Sequence, residues 1–470
     1  MKPVVSVSQM REIDAAALAT VDESVLVERA GTAVATWALR LLGGAYGRRV
    51  VVVTGKGNNG ADGRVAANRL RARGARVTVI DAADAPERIA GKPDVDLVID
   101  AAYGTGFRGS YKAPSVPLGV PVLAVDIPSG VNGETGEVSG EALRADVTVT
   151  FAALKPGLLQ GDGPALSGFV YVADIGLDVS GANMWLIEDS DVAEMVPSRD
   201  RDANKWQSGV VVVAGSPGML GAATFSATAA YRAGAGMVRL AVPGASATEL
   251  PASEAVGLEI PRHGWASQVL EVAKRCRCVV IGPGIGRDPE TSSDVRQLAI
   301  ESPVPVVVDA DGLFALGQAP EVAAVARSRA AEAGPLVLTP HAGEFARMFG
   351  RTPGTDRVGE AVRATAEAEA VVLLKGPTTV VAGGDGDVPG PVRIVMSGGP
   401  NLATAGTGDV LSGVIAAFIA RGTAPLEAAA LGAHVHGRAA GLGPAEGLVA
   451  GDLADLVARW LSAEKEVFDG

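Results

Sequence analysis

Short valine-rich runs recurring between helix-like stretches constrain this chain more than any other feature. From residue 48 the text reads "RVVVVT", a glycine loop, "RVAANRLRAR", Gly74 as a stop, "RVTVI", then "DLVID" and "VLAVD". Continuous apolar strands separated by helices are those of a parallel sheet covered on both faces, so a doubly wound α/β domain is predicted. The helical spacing of "SQMREIDAAALATVDESVLVERAGTAVATWALRLL" adds one or two flanking helices before it, packed on the sheet or on a partner subunit. Between residues 185 and 209 the apolar rhythm fails, and a second series then runs through "GVVVVAGS", "GMVRLAVP", "CVVIGPG", "VPVVVDADGL", "PLVLTPHAGE" and "EAVVLLKGPTTVVAGG". With 470 residues the chain exceeds one ordinary core of about 100 to 200 residues, and two domains are expected, 1–200 and 201–470.

A formal charge of -12 and the lack of any Lys/Arg cluster argue against nucleic acid and anionic membranes, which need a basic footprint, and favour small-molecule ligands. The N-terminus turns charged before an apolar core develops, unlike a signal peptide, and no run of about 18 apolar residues could span a bilayer. A cytoplasmic location is expected. Cys276 and Cys278 in "RCRCVVIG" would point to opposite faces of a strand, which suits neither a disulfide nor a metal site.

In open α/β sheets ligands bind beyond the carboxyl ends of the strands. There, "GKGNNGADG" meets the G-x-G-x-x-G spacing at Gly55, Gly57 and Gly60, and Asp81 ends the next strand about 20 residues on, as in a dinucleotide-binding turn. Asn58, Asn59 and Asp62 weaken that reading, because a pyrophosphate turn wants bare backbone and these add bulk and negative charge. Asp100 and Asp126, the latter followed by Ser129, end two further strands. Each could be a helix cap or turn residue, but together they bring oxygen ligands fit for hard cations, or carboxylates fit for proton transfer, to one edge. The loop Gly104, Thr105, Gly106, Phe107, Arg108, Gly109, Ser110 could let backbone amides and Arg108 meet phosphate.

"LVERAG", "GKGNNGADG", "DAAYGTGFRG", "DIPSG" and "TFAALKPG", in that order over the first 200 residues, resemble the NAD(P)H-hydrate epimerase family. The resemblance implies a Rossmann-like domain in which Asn58, Asn59, Gly60, Ala61 and Asp62 bind the hydrated cofactor. It implies that the loop Gly104 to Ser110 and a catalytic Asp126 contact substrate, and that Asn59, Asp100 and Ser129 hold potassium. Ala61 stands where the family usually has glycine.

In the second half, "SGGPNLATAGTGDVLSG" joins a glycine-rich loop to a helix, where free amides and the helix dipole make an anion hole. Asp409 at that helix start is either a first-turn acid stabilising the dipole or a base facing a hydroxyl that attacks phosphate, and so glycine-rich a loop favours the base. Lys375 in "LLKGPTT" could meet phosphate as a point charge or lie on the surface, and His341 ends another strand. His434 and His436, two residues apart on a helix, do not face the same way and take no metal role.

These motifs, with "VVVAGSPGMLGAA" and "VIGPGIG", resemble the ADP-dependent NAD(P)H-hydrate dehydratases, which have a ribokinase-like fold. That implies adenine-nucleotide binding by Lys375, Gly376, Pro377, Thr378, Thr379 and Gly408, and a hydrate held by Ala222, Gly286, His341 and Asp409, with Asp409 the base. "DANKWQSG" and "GGPNLATAGTGD" depart from the family pattern, though the Gly-Thr-Gly-Asp end is intact. The joint expectation is an isomerase fused to a lyase: the first half interconverts the R and S hydrates (NADHX and NADPHX), and the second dehydrates the S form with ADP, releasing AMP and phosphate. Magnesium is expected to offset the phosphate charge, and both families tend to form homo-oligomers. The competing expectation is a kinase for a small alcohol or vitamin precursor, since ribokinase-like glycine loops serve many substrates.

Overall fold

The computed structural model describes residues 1–91, 93–246, 248–250, 254–385 and 388–469. The chain forms two compact units, Lys2–Met184 and Trp185–Gly470, with Met1 joining the second. The division therefore falls before residue 200, and residues 185–200 fold with the C-terminal unit. The reason is packing: the helix Asp189–Met195 and its end bury Val192 and Val196 in the C-terminal core beside Val210 and Phe418.

The N-terminal unit is a wholly parallel sheet in the order Arg76–Asp81, Arg49–Thr54, Leu97–Ala101, Val122–Val125, Val147–Phe151, Phe169–Ala173. The inner strands are buried almost throughout, which explains their unbroken apolar text, while "FVYVA" at one edge alternates because one face meets water. Two leading helices form. Val7–Leu18 starts at Ser6 with a capping box to Gln9, and Glu23–Leu42 starts at Asp22 and ends at left-handed Gly43. The second buries Ala30, Val34 and Ala38 in one core with Val50, Val52 and Ile99, so it packs on its own sheet. The chain runs from Arg49–Thr54 outward to Arg76–Asp81, then returns to Leu97–Ala101 on the other side. That reversal opens a crevice between the ends of Arg49–Thr54 and Leu97–Ala101.

The sheet of the C-terminal unit contains, in order, Val388–Val395, Thr379–Asp385, Val371–Leu374, Leu336–Leu338, Val306–Val308, Cys278–Ile281, Gly209–Val213, Met237–Ala241 and Val256–Leu258. Pairing is parallel from Val371–Leu374 onward, and the first two strands are added antiparallel. Here the reversal lies between Gly209–Val213 and Cys278–Ile281. The helix Thr407–Ala420 is buried along nearly its whole length, and a Cβ at Gly413 would lie 2.2 Å from the Ser226 carbonyl of the helix Gly221–Arg232. That close approach, possible only for glycine, fixes the helix that carries Asp409. Cys276 and Cys278 are buried free thiols. Among the described residues no helix is long and apolar enough to cross a membrane.

Candidate active sites

The N-terminal crevice widens into a cavity of about 510 Å³ whose walls include Asp14, Asn58, Asn59, Asp62, Asp126 and Lys155. The loop after Arg49–Thr54 shapes one wall through backbone contact. A Cβ at Gly60 would lie 2.0 Å from the Gly55 carbonyl, and one at Gly55 would lie 2.0 Å from that of Ala102. Gly57, the middle glycine of the fingerprint, has open space around it and precedes the helix Asn58–Ala72 without a side-chain cap. The glycines therefore serve packing at Gly55 and Gly60, while Asn58, Asn59 and Asp62 face the cavity.

Asp126 is the centre of the site. It sits at the end of Val122–Val125 with φ 65, a left-handed conformation that is uncommon for a non-glycine residue and that the surroundings must enforce. Its Oδ1 accepts from Lys155 Nζ at 2.7 Å and from Thr150 Oγ1 at 3.1 Å. Lys155 also donates to Thr150 Oγ1 and the Phe151 carbonyl, and its side chain is only 2% exposed, so it serves Asp126 and not solvent. Among the described residues Asp62 has no such cation. Burial, then the charges of Asp126 and Asp14, push its carboxyl up to about 8, which makes it a protonated acid at neutral pH. Asp14 is shifted upward too, by burial, against the pull of Lys155.

Beneath the cavity, Asp100 is fully buried and accepts from the Ser129 amide at 2.9 Å and from Ser129 Oγ at 2.6 Å. Burial nevertheless raises its pKa, because these bonds do not offset the desolvated charge. Asn59, 9% exposed, has both side-chain polar atoms buried without a partner. An orphaned amide beside the loop that a buried carboxylate anchors is a donor set suited to a hard cation. The approach is tight: a Cβ at Gly104 would meet Asp126 Oδ2 at 3.3 Å and Asn59 Oδ1 at 3.4 Å.

The expected residues are not all brought together. Gly104, Thr105, Gly106 and Phe107 line the cavity, whereas Arg108, Gly109 and Ser110 are exposed and outside its lining. Gly60 and Ala61 lie behind Asn59 in the first helical turn, also outside the lining. Lys155, Asp14 and Thr150 belong to the site although sequence reasoning assigns them no role. A lysine set in the apolar text "TFAALKPG" is the available signal for Lys155.

In the C-terminal unit the ends of adjacent parallel strands carry Asp309, His341 and Lys375. Lys375 Nζ donates to Asp309 Oδ1 at 2.9 Å, and a Cβ at Gly408 would lie 3.3 Å from that Nζ. The lysine therefore stands at the amino end of the helix Thr407–Ala420, whose first turn follows left-handed Gly406. Asp409 in that turn is pushed up to about 7 by burial first, then by Asp309, with Lys375 opposing. Burial alone would depress Lys375, but Asp309 and Glu344 outweigh it and hold the ammonium above its ordinary value. The backbone carrying Gly376, Pro377 and Thr378 is gripped by Arg357, which donates to the Lys375 carbonyl at 2.9 Å and the Thr378 carbonyl at 2.9 Å. Thr379 donates to the Gly376 carbonyl at 3.3 Å.

At the strand reversal, Ala222 lies in the first turn of the helix Gly221–Arg232, and its Cβ is 3.2 Å from the place a Cβ at Gly284 would take. Gly286 follows with φ 96 and donates its amide to Asp311. His341 caps the helix Ala342–Phe349: its Nδ1 accepts from the Gly343 amide at 3.0 Å, which leaves Nε2 as the ring position able to donate. His434 pairs with Asp189 at 2.7 Å, while buried His436 is driven down to about 4 by burial. The one group of described residues that could hold a metal is His263, Asp288 and Glu290.

The family profile described as NAD(P)H-hydrate dehydratase matches residues 210–462, and that described as YjeF-related protein N-terminus matches 23–91 and 81–157. A bifunctional NAD(P)H-hydrate repair enzyme of Moorella thermoacetica is 37% identical over 99% of this chain and 98% of its own. One of Mycobacterium tuberculosis is 39% identical over 92% of each. Among solved structures, an ADP/ATP-dependent NAD(P)H-hydrate dehydratase of Bacillus subtilis, co-crystallised with ATP and Mg2+, is 26% identical, at TM-score 0.47, over 59% of this chain and 97% of its own. Two profiles in this order and relatives matched from end to end establish that the chain belongs to the bifunctional NAD(P)H-hydrate repair enzymes.

Proposed function

We propose that the N-terminal unit interconverts the R and S hydrates of NADH and NADPH, and that the C-terminal unit dehydrates the S form at the expense of ADP. The observation that carries this reading is the same in both units: two carboxyl groups at one strand edge, one ion-paired with lysine and one raised toward or above neutrality. A kinase for a small alcohol would give the N-terminal cavity no task, and the family match runs through both halves.

Epimerisation at ring carbon 6 requires that carbon to lose its hydroxyl and regain it on the other face. Asp62, protonated, is placed to give a proton to the departing hydroxyl. Asp126, ion-paired with Lys155, is placed to take one from the water that adds back. Asn59, Asp100 and Ser129 would hold potassium, whose charge would offset Asp100 and fix the loop that presents Asn58 and Asn59. In the second unit Asp409 would take the proton of the ring hydroxyl as its oxygen attacks the β-phosphorus of ADP, with AMP leaving. Phosphate would then depart with the bonding pair of the carbon 6–oxygen bond, while the proton on carbon 5 passes to water and its electrons form the double bond between carbons 5 and 6. Lys375, Gly408 and the helix amides would bind the phosphates. The acids here form no preformed three-ligand cage among the described residues, so magnesium would arrive on the nucleotide, held mainly by phosphate and water. A cytoplasmic homo-oligomer completes the reading.

The test is to supply purified protein with mixed R and S hydrate of NADH and ADP, and to follow NADH absorbance. Full recovery is expected. Recovery that stalls near half would remove the epimerase, and none at all would remove both activities.

A further inference from the structure

Asp309 ends the strand Val306–Val308 and is 1% exposed. Its Oδ1 accepts from Lys375 Nζ at 2.9 Å and from the Ala310 amide at 2.9 Å, and its Oδ2 accepts from Ser412 Oγ at 2.8 Å. Ser412 lies three residues beyond Asp409, on the same face of the helix Thr407–Ala420. The strand end is held under strain, since Ala310 adopts φ 50. No side chain can intervene at Gly408, where a Cβ would lie 3.3 Å from Lys375 Nζ and 3.6 Å from Asp309 Oδ2. The charged groups facing Asp409 are Asp309, Lys375, Asp311 and Glu344, and buried His436, which also faces Lys375, is neutral at pH 7.

Lys375 thus has the buried Asp309 and the half-buried Asp409 within its field, and the dehydration chemistry needs it to stay with only one. We propose that Asp309 is a positioning residue for dehydration: it anchors Lys375 beside Gly408 for the nucleotide phosphates and keeps that ammonium from pairing with Asp409. The inference rests on Asp409 being the base. Without Asp309, Lys375 would swing to Asp409, the base would weaken, and the phosphates would lose their cation.

Full-length Asp309→Asn tests this with the S hydrate, through kcat and the KM for ADP across pH 5.5 to about 9. The acid limb of kcat should move down by about one pH unit, the size expected when a neighbouring charge is removed, and the KM for ADP should rise about tenfold. An unmoved acid limb, whether kcat is retained or lowered, overturns the inference. If Asp309→Asn does not fold, Ser412→Ala, which loosens the same carboxylate, decides by a smaller shift in the same direction, and no shift overturns the inference. A dehydrating Asp409→Asn would instead overturn the base assignment itself, which keeps the two failures apart.

Discussion

The two units solve one problem twice with different access to water. In each, a lysine is ion-paired with one aspartate while a second aspartate has no ion pair among the described residues. In the N-terminal unit the pair is Asp126 with Lys155, whose side chain is 2% exposed. In the C-terminal unit it is Asp309 with Lys375, whose side chain is 21% exposed. Burial decides what each lysine can do: Lys155 can only tune and hold Asp126, whereas Lys375 can also meet a ligand. The paired aspartate lines the cavity in the first unit and is buried in the second. A shared electrostatic plan therefore does not assign roles; exposure does.

The comparison breaks most readily at Asp409. Asp409→Asn should lower kcat for dehydration by about 10²–10⁴, the usual worth of a general base, and leave R/S exchange intact as read by chromatography of the two hydrates. Asp126→Asn should do the reverse. Absorbance recovery from mixed hydrate would stall near half, and loss of dehydration instead would mean that the units are not independent.

The lysines sharpen the contrast. Lys155→Met should destabilise the protein by about 3–5 kcal/mol in denaturant melts, since it removes the buried cation from a largely buried carboxylate. Lys375→Met strands Asp309, whose side chain is 2% exposed, so it should cost about as much, and it should in addition raise the KM for ADP. An unchanged KM for ADP in Lys375→Met would refute the role given to exposure. The smallest effects are those of pH. Dehydration should weaken as pH falls through about 7, where Asp409 takes up its proton. Asp62, raised to about 8 by burial, binds a proton in the folded state that the unfolded chain has released. Its contribution to stability is thus complete below the ordinary carboxylate range and lost as pH rises through about 8. Thermal melts of Asp62→Asn should lack that decline.

The fold was legible because its signal is local. "RVVVVT" and "CVVIGPG" announce buried parallel strands without reference to anything distant, and Ser6 and Asp22 announce their helices. Asn59, Asp62 and Asp126 stand out as polar punctuation soon after apolar runs, and Asp409 as an acid closing a glycine-rich loop at a helix start. What stayed hidden depends on partners far along the chain. Lys155 meets Asp126 across 29 residues and Lys375 meets Asp309 across 66, and neither pairing leaves a trace in spacing. Asp309 lies in "VPVVVDADGL" with nothing in the text to set it apart from the other acids. Asp14 sits in an ordinary amphipathic helix whose inward face is a cavity wall. The boundary at residue 184 was missed because "DSDVAEM" is polar in text, yet its few apolar residues are the ones that choose a core.

The glycines of "GKGNNGADG" have one more consequence, for how this site can be reshaped. Gly55 and Gly60 are locked by backbone contacts that a methyl group would violate, but Gly57 has extended backbone (φ -86) and nothing within 4 Å of the place a Cβ would take. Because Gly57 also lines the cavity, residue 57 is a point where the wall can be thickened atom by atom without disturbing its foundation. It offers a practical lever for breeding variants that sort one damaged nucleotide from another.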